Sequence, residues 1–257
     1  MNLPVNTFKR ALQAGQQQVG IWNTIPGPVV AELLAGAGFD WMVLDTEHSL
    51  TDIPDLMGML QAVAPYPVAP VVRPQANDTV LIKRVLDLGA QTLLLPYVQT
   101  KAEAEAAVRA MRYAPRGIRG VSGMTRASRF GAVKDYVKRA EEELCLIVQV
   151  ETGEAVARIE EIATVDGVDA VFIGPSDLAA SLGHPGNAGH PDVVAKVEEA
   201  ILRLKAVGVP SGILTLDQAF ARRCMELGTS FTAVGVDMAL LRGAAAGLAR
   251  GFGRGDG

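Results

Sequence analysis

The chain has 257 residues, 49% hydrophobic and 20% charged, with 24 Lys plus Arg against 28 Asp plus Glu for a net charge of −4. That hydrophobic fraction excludes a disordered chain and supplies one sizeable core. The mildly acidic balance lacks the basic face that nucleic acid requires, and no apolar run reaches the roughly 18 residues that span a bilayer.

The predicted elements alternate from end to end. A first strand at 19–23 precedes a helix at 28–37, a strand at 41–45 a helix at 52–63, and a strand at 68–72 a helix at 78–88. A strand at 92–95 leads to a helix at 101–111. The long connection 112–144 follows, an Arg- and Gly-rich loop and then a helix at about 132–143. Next come a strand at 145–150, a helix at 154–163 and a strand at 169–173. The second long connection, 174–190, ends in Gly, Pro and His. A helix at 191–206, a strand at 211–214, a helix at 216–226 and a strand at 231–235 complete the series.

Most of these strands are apolar almost throughout, as parallel strands covered on both faces are. Gly38, Gly89, Gly167, Gly208 and Gly228 punctuate the returns from helix to strand, the place of a helix C-cap. Eight βα units in about 250 residues predict an α/β fold of the (β/α)8 TIM-barrel type, one domain over 1–257 with an ordered core of about 5–250 and a tail at 251–257. No Gly-x-Gly-x-x-Gly follows the first strand, where the text is Trp22-Asn23-Thr24-Ile25-Pro26-Gly27, so a dinucleotide fold is disfavoured. The Arg-Gly-Asp triplet in the tail reads as chance. Cys145 and Cys224 fall in apolar-periodic stretches and read as buried thiols of a reducing compartment. With no basic-then-apolar order in Met1 to Arg10, a cytoplasmic protein is expected.

In such a barrel, chemistry sits just past the C-terminal ends of the strands. Four of those positions are polar: Asp45-Thr46-Glu47-His48, Arg73-Pro74, Gln149-Val150-Glu151-Thr152 and Gly174-Pro175-Ser176-Asp177. Glu151 and Asp177 follow neighbouring strands, and with the amide of Gln149 they form an oxygen-rich set suited to a hard divalent ion. Spacing alone leans to a structural reading, each carboxylate capping a helix or pairing with an arginine. His48 is the one histidine at the barrel mouth and suits a general base or a hydrogen-bonded loop residue. His184 and His190 read as surface groups. Arg73, held extended by Pro74, suits a carboxylate or a developing enolate, or a salt bridge to Asp45 or Glu47. Backbone N–H groups at Ser176 and Asp177 suit a substrate carboxylate. The arginines at 112, 116, 119, 126 and 129 read as an interface or salt-bridge cluster. None of the seven lysines falls in a barrel strand, so a Schiff-base mechanism has no candidate.

The segments Leu33 to Trp41, Asp45-Thr46-Glu47-His48, Val71-Val72-Arg73-Pro74, Gln149-Val150-Glu151-Thr152, Val171 to Leu178 and Ala233 to Asp237 resemble the HpcH/HpaI aldolases, in order and over about residues 5–250. The types most resembled are 4-hydroxy-2-oxo-heptane-1,7-dioate aldolase and the 2-dehydro-3-deoxy-sugar-acid aldolases, enzymes of aromatic or sugar-acid catabolism. The resemblance implies a phosphoenolpyruvate/pyruvate-type barrel and a class II pyruvate aldolase using Mg²⁺ or Mn²⁺, with Co²⁺ a further choice. By resemblance, Glu151 and Asp177 are the metal ligands and Arg73 binds the keto or enolate oxygen. His48 is the catalytic histidine with Asp87 as its carboxylate partner, and Asp45 is a supporting acid. Gln149 orients, Gly174, Pro175, Ser176 and Asp177 hold the pyruvate carboxylate, and Trp22 and Leu214 form walls. Residues 24–28 and 122–125 are the places expected to select the aldehyde. The family is commonly hexameric, a trimer of dimers with the last helix exchanged, and the Ala/Leu-rich stretch 237–250 suits that.

The expected reaction is reversible cleavage of a 4-hydroxy-2-oxo acid to pyruvate, or a related acid such as hydroxypyruvate, plus an aldehyde. Two alternatives stand beside it: an acyl-CoA lyase of the citrate-lyase-β or malyl-CoA-lyase type, and a barrel that binds oxo acids without turnover.

Overall fold

The computed structural model describes residues 1–254; the Arg254-Gly255-Asp256 triplet runs outside them. Eight strands form one closed, all-parallel barrel in sequence order: β1 (Gln18–Asn23), β2 (Trp41–Asp45), β3 (Ala69–Arg73), β4 (Thr92–Leu95), β5 (Cys145–Val150), β6 (Ala170–Ile173), β7 (Ser211–Leu214) and β8 (Phe231–Val236), with β8 pairing back to β1. Each expected strand is present to within a residue at either end. Continuous apolar composition has its cause here: in β2, β4, β5 and β6 every residue is buried, one face inside the barrel and the other under helices.

The floor of the barrel is closed by aromatic rings. Phe8, from a helix at Thr7–Gln13 too short to show a period in the sequence, meets Trp41 at 5.7 Å and Phe231 at 5.3 Å between ring centroids. Gly20 and Gly212 make room for those rings. A Cβ on Gly20 would lie 2.3 Å from the Trp41 ring, and one on Gly212 2.1 Å from the Phe231 ring. With the floor sealed, the interior opens only at the C-terminal ends of the strands.

The surrounding helices begin where side-chain caps dictate. Asp52 with Asp55, and Thr100 with Glu103, form capping boxes at Ile53–Val63 and Lys101–Met111. Two expectations are corrected. The helix at 154–163 breaks at Arg158 into Gly153–Ala157 and Ile159–Ala163. The helix at about 132–143 shrinks to Tyr136–Arg139 and a 3₁₀ turn at Ala140–Glu142, because Asp135, inside the expected span, takes a positive φ and the helix starts only after it. Helices at Pro175–Ser181 and Asp237–Gly251 complete the set. Three of the five loop arginines form the expected salt bridges, Arg112 and Arg116 to Glu141 and Arg119 to Asp87, whereas Arg126 donates to the Leu88 carbonyl. Both cysteines are buried and free. Among the described residues no helix is long and apolar enough to cross a membrane.

Candidate active site

At the open end lies a cavity of about 660 Å³. Trp22, His48, Arg73, Gln149, Glu151, Gly174, Pro175, Ser176, Asp177 and Leu214 all line it, so ten of the twelve residues assigned a role in the sequence converge. Asp45 lies directly beneath, fully buried.

Parallel pairing sets Asp45 beside Arg73 in register, and their side chains complete the contact. Arg73 donates from Nε to Asp45 Oδ1 at 2.8 Å and from Nη2 to Oδ2 at 2.6 Å, a two-pronged grip that fixes the guanidinium plane. Trp22 Nε1 donates to the same carboxylate at 3.2 Å, and the Glu47 N–H donates to it at 3.0 Å. The Arg73 guanidinium carbon stands 5.0 Å from the centre of the Trp22 ring. Burial works to raise the Asp45 pKa, but the Arg73 guanidinium outweighs it and holds the carboxyl below its ordinary range. Arg73 Nη1 is 3.0 Å from Glu47 Oε2, an ion-pair contact.

Glu151, at the end of β5, is held from two sides: Oε2 accepts from Gln149 Nε2 at 2.5 Å and Oε1 from the Tyr97 N–H at 2.9 Å. Tyr97 has φ of 55°, a conformation that costs a bulky residue energy, and this backbone presents its N–H to the carboxylate. Gly174 permits the close approach of β6, since a Cβ there would meet Glu151 Oε2 at 2.6 Å. Burial pushes the Glu151 pKa up to about 7, with the charges of Asp177 and Glu47 adding and the bonds from Gln149 and Tyr97 opposing. Burial also raises Glu47, against the pull of Arg73 and His48. The cavity therefore gathers carboxylates around an arginine already engaged by Asp45. Among the described residues, the buried oxygen Gln149 Oε1 takes no hydrogen bond, and Glu47 Oε2 has only its ion pair with Arg73. An oxygen-rich set with surplus negative charge and an unsatisfied acceptor fits a hard divalent cation.

The capping alternative fails for both carboxylates. Thr152, not Glu151, caps the helix at Gly153–Ala157, and Asp177 makes no capping bond at the Pro175–Ser181 helix. That helix makes its first internal bond from the Leu178 N–H to Gly174 O, so the N–H groups of Ser176 and Asp177 remain for another acceptor.

His48 is at the rim, 70% exposed, with Nε2 3.9 Å from Glu47 Oε1. Its expected partner does not reach it within one chain. Asp87 ends the helix Thr79–Asp87, which returns the chain to the barrel floor, and there it accepts from Arg119 Nη2 at 2.8 Å. His184 and His190, expected as surface groups, are partly buried and stack on each other at 3.5 Å.

Sequence reasoning missed several contributors. Glu47, weighed only as a partner of Arg73, carries its own perturbed carboxyl. The Tyr97 N–H left no trace, because a backbone donor has none. Phe172, Asp217 and Phe220 complete the walls with Ala188 and Gly189. Asp237 accepts from Asn23 Nδ2 at 2.6 Å and from the N–H groups of Thr24 and Ile25 at 3.0 and 2.8 Å, pinning the loop after β1.

A (β/α)8 barrel whose mouth gathers buried carboxylates beside a locked guanidinium has the layout of a barrel enzyme able to stabilise developing negative charge. The model of the HpcH/HpaI aldolase/citrate lyase family matches residues 18–244. The chain is 62% identical over 252 residues to a pyruvate aldolase of Rhizobium etli, covering 98% of this chain and 99% of that protein. It is 52% identical over 248 residues to a 4-hydroxy-2-oxo-heptane-1,7-dioate aldolase of Klebsiella pneumoniae, covering 96% and 94%. A crystal structure of an HpcH/HpaI aldolase/citrate lyase family protein from Burkholderia cenocepacia superposes with a TM-score of 0.91 at 40% identity, covering 95% and 98%. The chain belongs to the HpcH/HpaI aldolase/citrate lyase family, and it is a carbon–carbon lyase of the pyruvate aldolase class.

Proposed function

We propose that Glu151 and Asp177 hold a divalent cation, Mg²⁺ or Mn²⁺ with Co²⁺ as a substitute, and that the chain cleaves 4-hydroxy-2-oxo acids to pyruvate or hydroxypyruvate plus an aldehyde. The observation that carries this reading is the Glu151 carboxyl, buried at the cavity and pushed up to about 7 by burial and by Asp177 and Glu47, next to the unpartnered oxygen of Gln149. Bound there, the cation supplies Lewis-acid polarisation of the 2-oxo group.

The chain's own residues do the rest. Gln149 and the Tyr97 N–H orient Glu151. The N–H groups of Ser176 and Asp177, with Gly174 and Pro175 shaping the turn, receive the substrate carboxylate. Trp22 and Leu214 wall the chain of the oxo acid and exclude water. As the C3–C4 bond breaks, its electron pair passes to C3 and onto the 2-oxygen, and Arg73, locked by Asp45, donates to that oxygen. His48 takes the proton of the 4-hydroxyl, whose oxygen becomes the aldehyde carbonyl. The proton taken up by His48 is then returned to C3, which yields the 2-oxo acid and resets the base, and condensation is the reverse.

Asp87 can serve His48 only from a neighbouring copy of the chain, since within one chain they occupy opposite ends of the barrel. A homo-oligomer, the hexamer with exchanged last helices, is part of the proposal. The helix Asp237–Gly251 supports it: Asp237 is its one buried residue, while Met238, Leu240, Leu241 and Leu248 are exposed. Two buried free thiols suit a reducing, cytoplasmic setting, with the chain acting as one barrel domain.

The test is pyruvate release from a panel of 4-hydroxy-2-oxo acids, followed by reduction to lactate, with Mg²⁺ or Mn²⁺ and with chelator. Turnover that needs metal but no CoA supports the reading. A CoA requirement transfers the chain to the acyl-CoA lyases, and binding without turnover to a non-catalytic barrel. Activity surviving full chelation, or a borohydride-trapped adduct, overturns the metal-dependent mechanism.

A further inference from the structure

We propose a second metal site, built for a transition-metal ion, where the loop after the helix Pro175–Ser181 meets the start of the helix Pro191–Ala206, with His184, His190 and Asp192 as its ligands. Asp192 Oδ2 lies 3.2 Å from His184 Nε2 and 3.6 Å from His190 Nδ1, and the three ligand atoms are all within 4.8 Å of one another. A tetrahedral ion with bonds of about 2.0–2.1 Å separates its ligand atoms by roughly 3.4 Å. The carboxylate oxygen already keeps that spacing from both nitrogens.

The backbone prearranges the site. The His184 N–H donates to Ala179 O at 2.8 Å, the Asn187 N–H to His184 O at 3.0 Å, and the His190 N–H to Asn187 O at 3.0 Å, so three linked turns carry one histidine back onto the other. Gly183 and Gly186, at φ of 85° and 75°, allow the reversals. Pro185 and Pro191 restrict the backbone directly after each histidine. The rings lie 3.5 Å apart with planes 14° from parallel. One carboxylate can balance a single charged imidazole, whereas one divalent ion satisfies two neutral rings and the carboxylate together. An ion would replace the 3.2 Å contact between His184 Nε2 and Asp192 Oδ2 and the long 3.3 Å bond from the Asp192 N–H to His190 Nδ1, and the two rings would turn out of their stack so that both nitrogens face it. The side chains of His184 and His190 are 26% and 32% exposed, which leaves a coordination position open to solvent.

Two imidazoles and one carboxylate select Zn²⁺, Co²⁺, Ni²⁺ or Cu²⁺, whereas the all-oxygen set of the cavity suits Mg²⁺ or Mn²⁺. The position has a consequence. Ala188 and Gly189, between the two histidines, line the cavity, so an ion here clasps the loop that forms part of the active-site wall.

The experiment uses the full chain stripped with chelator, and a Glu151→Gln/Asp177→Asn variant in which the cavity set is dismantled. Zn²⁺ uptake is measured by elemental analysis after removal of unbound ion, and amide exchange is followed over residues 183–190. The dismantled variant is expected to take one Zn²⁺ per chain and to slow exchange in that loop. Adding His184→Gln or His190→Asn is expected to weaken uptake at least tenfold; asparagine remains a good helix N-cap, so the Pro191–Ala206 helix persists. If the dismantled variant does not fold, the parent chain decides: two Zn²⁺ falling to one in His190→Asn sustains the site. No Zn²⁺ in the dismantled variant, or equal uptake with and without the histidines, overturns it. Failure of the cavity reading shows separately, as Zn²⁺ uptake that Glu151→Gln/Asp177→Asn leaves at the parent level.

Discussion

Arg73→Lys keeps a cation at the barrel mouth and removes the fork that fixes it. In the parent, Nε and Nη2 are spent on Asp45 at 2.8 and 2.6 Å, which leaves Nη1 as the remaining donor, 3.0 Å from Glu47 and on the cavity side of the pair. A lysine has one ammonium on a flexible stem. It either stays with Asp45 and leaves the developing enolate without a donor, or turns to the substrate and leaves Asp45 buried without its cation. Deleting one donor of this kind costs about 2.7–4 kcal/mol of transition-state stabilisation, so kcat is expected to fall about 10²–10³-fold. KM for the oxo acid should move much less, because the interaction strengthens as charge develops. Arg73→Ala should lose at least as much rate and in addition about 3–5 kcal/mol of stability, the cost of leaving one member of a buried ion pair alone. Steady-state turnover with saturating Mg²⁺, together with urea melts of each variant, measures both quantities. A lysine variant within a few-fold of parental kcat would refute the reasoning that a locked guanidinium stabilises the enolate.

The metal-free chain should be destabilised by Glu151 at alkaline pH. Its carboxyl is protonated up to about 7 when folded but only up to 4.5 when exposed in the unfolded chain, so stability falls as pH rises through that window. Glu151→Gln should therefore exceed the parent by up to about 3 kcal/mol above pH 7 and converge with it below 4.5, in urea melts under chelator; equal stability at pH 8 would remove the buried-charge argument. The same proton must leave when a cation binds, so divalent-ion affinity should rise about tenfold per pH unit below about 7 and flatten above it. Calorimetry in buffers of different ionisation enthalpy should count about one proton released at pH 6 and almost none at pH 8. Gly174→Ala places a methyl 2.6 Å from Glu151 Oε2 and 2.8 Å from its Cβ. Displacement of the carboxylate should weaken the cation at least tenfold, and unchanged affinity would show that the approach of β6 is not critical.

The barrel is legible in one dimension because each βα unit is local. Burial on both faces writes an apolar strand, a cap or a glycine writes each boundary, and eight repeats leave little choice of closure. Position along a strand also points to the mouth, which is why Arg73, Glu151 and Asp177 can be singled out unaided. The lock on Arg73 is half-legible: Asp45 stands at the matching end of the neighbouring strand, but the register that makes the contact bidentate belongs to the closed sheet. What a residue's neighbours in space are is otherwise invisible along the chain. The Tyr97 N–H reaches Glu151 through a left-handed backbone that no side chain signals. Asp87 lies at the floor because its helix runs back from the mouth, so a partnership inferred by resemblance is not formed within one chain. His184 and His190 look like two stray loop residues until three successive turns stack one ring on the other beside Asp192. Composition and period determined the scaffold and the rim residues, since both are set by short-range burial. Tertiary structure alone decided which of those groups share charge, because that depends on a few ångströms between segments the chain keeps far apart.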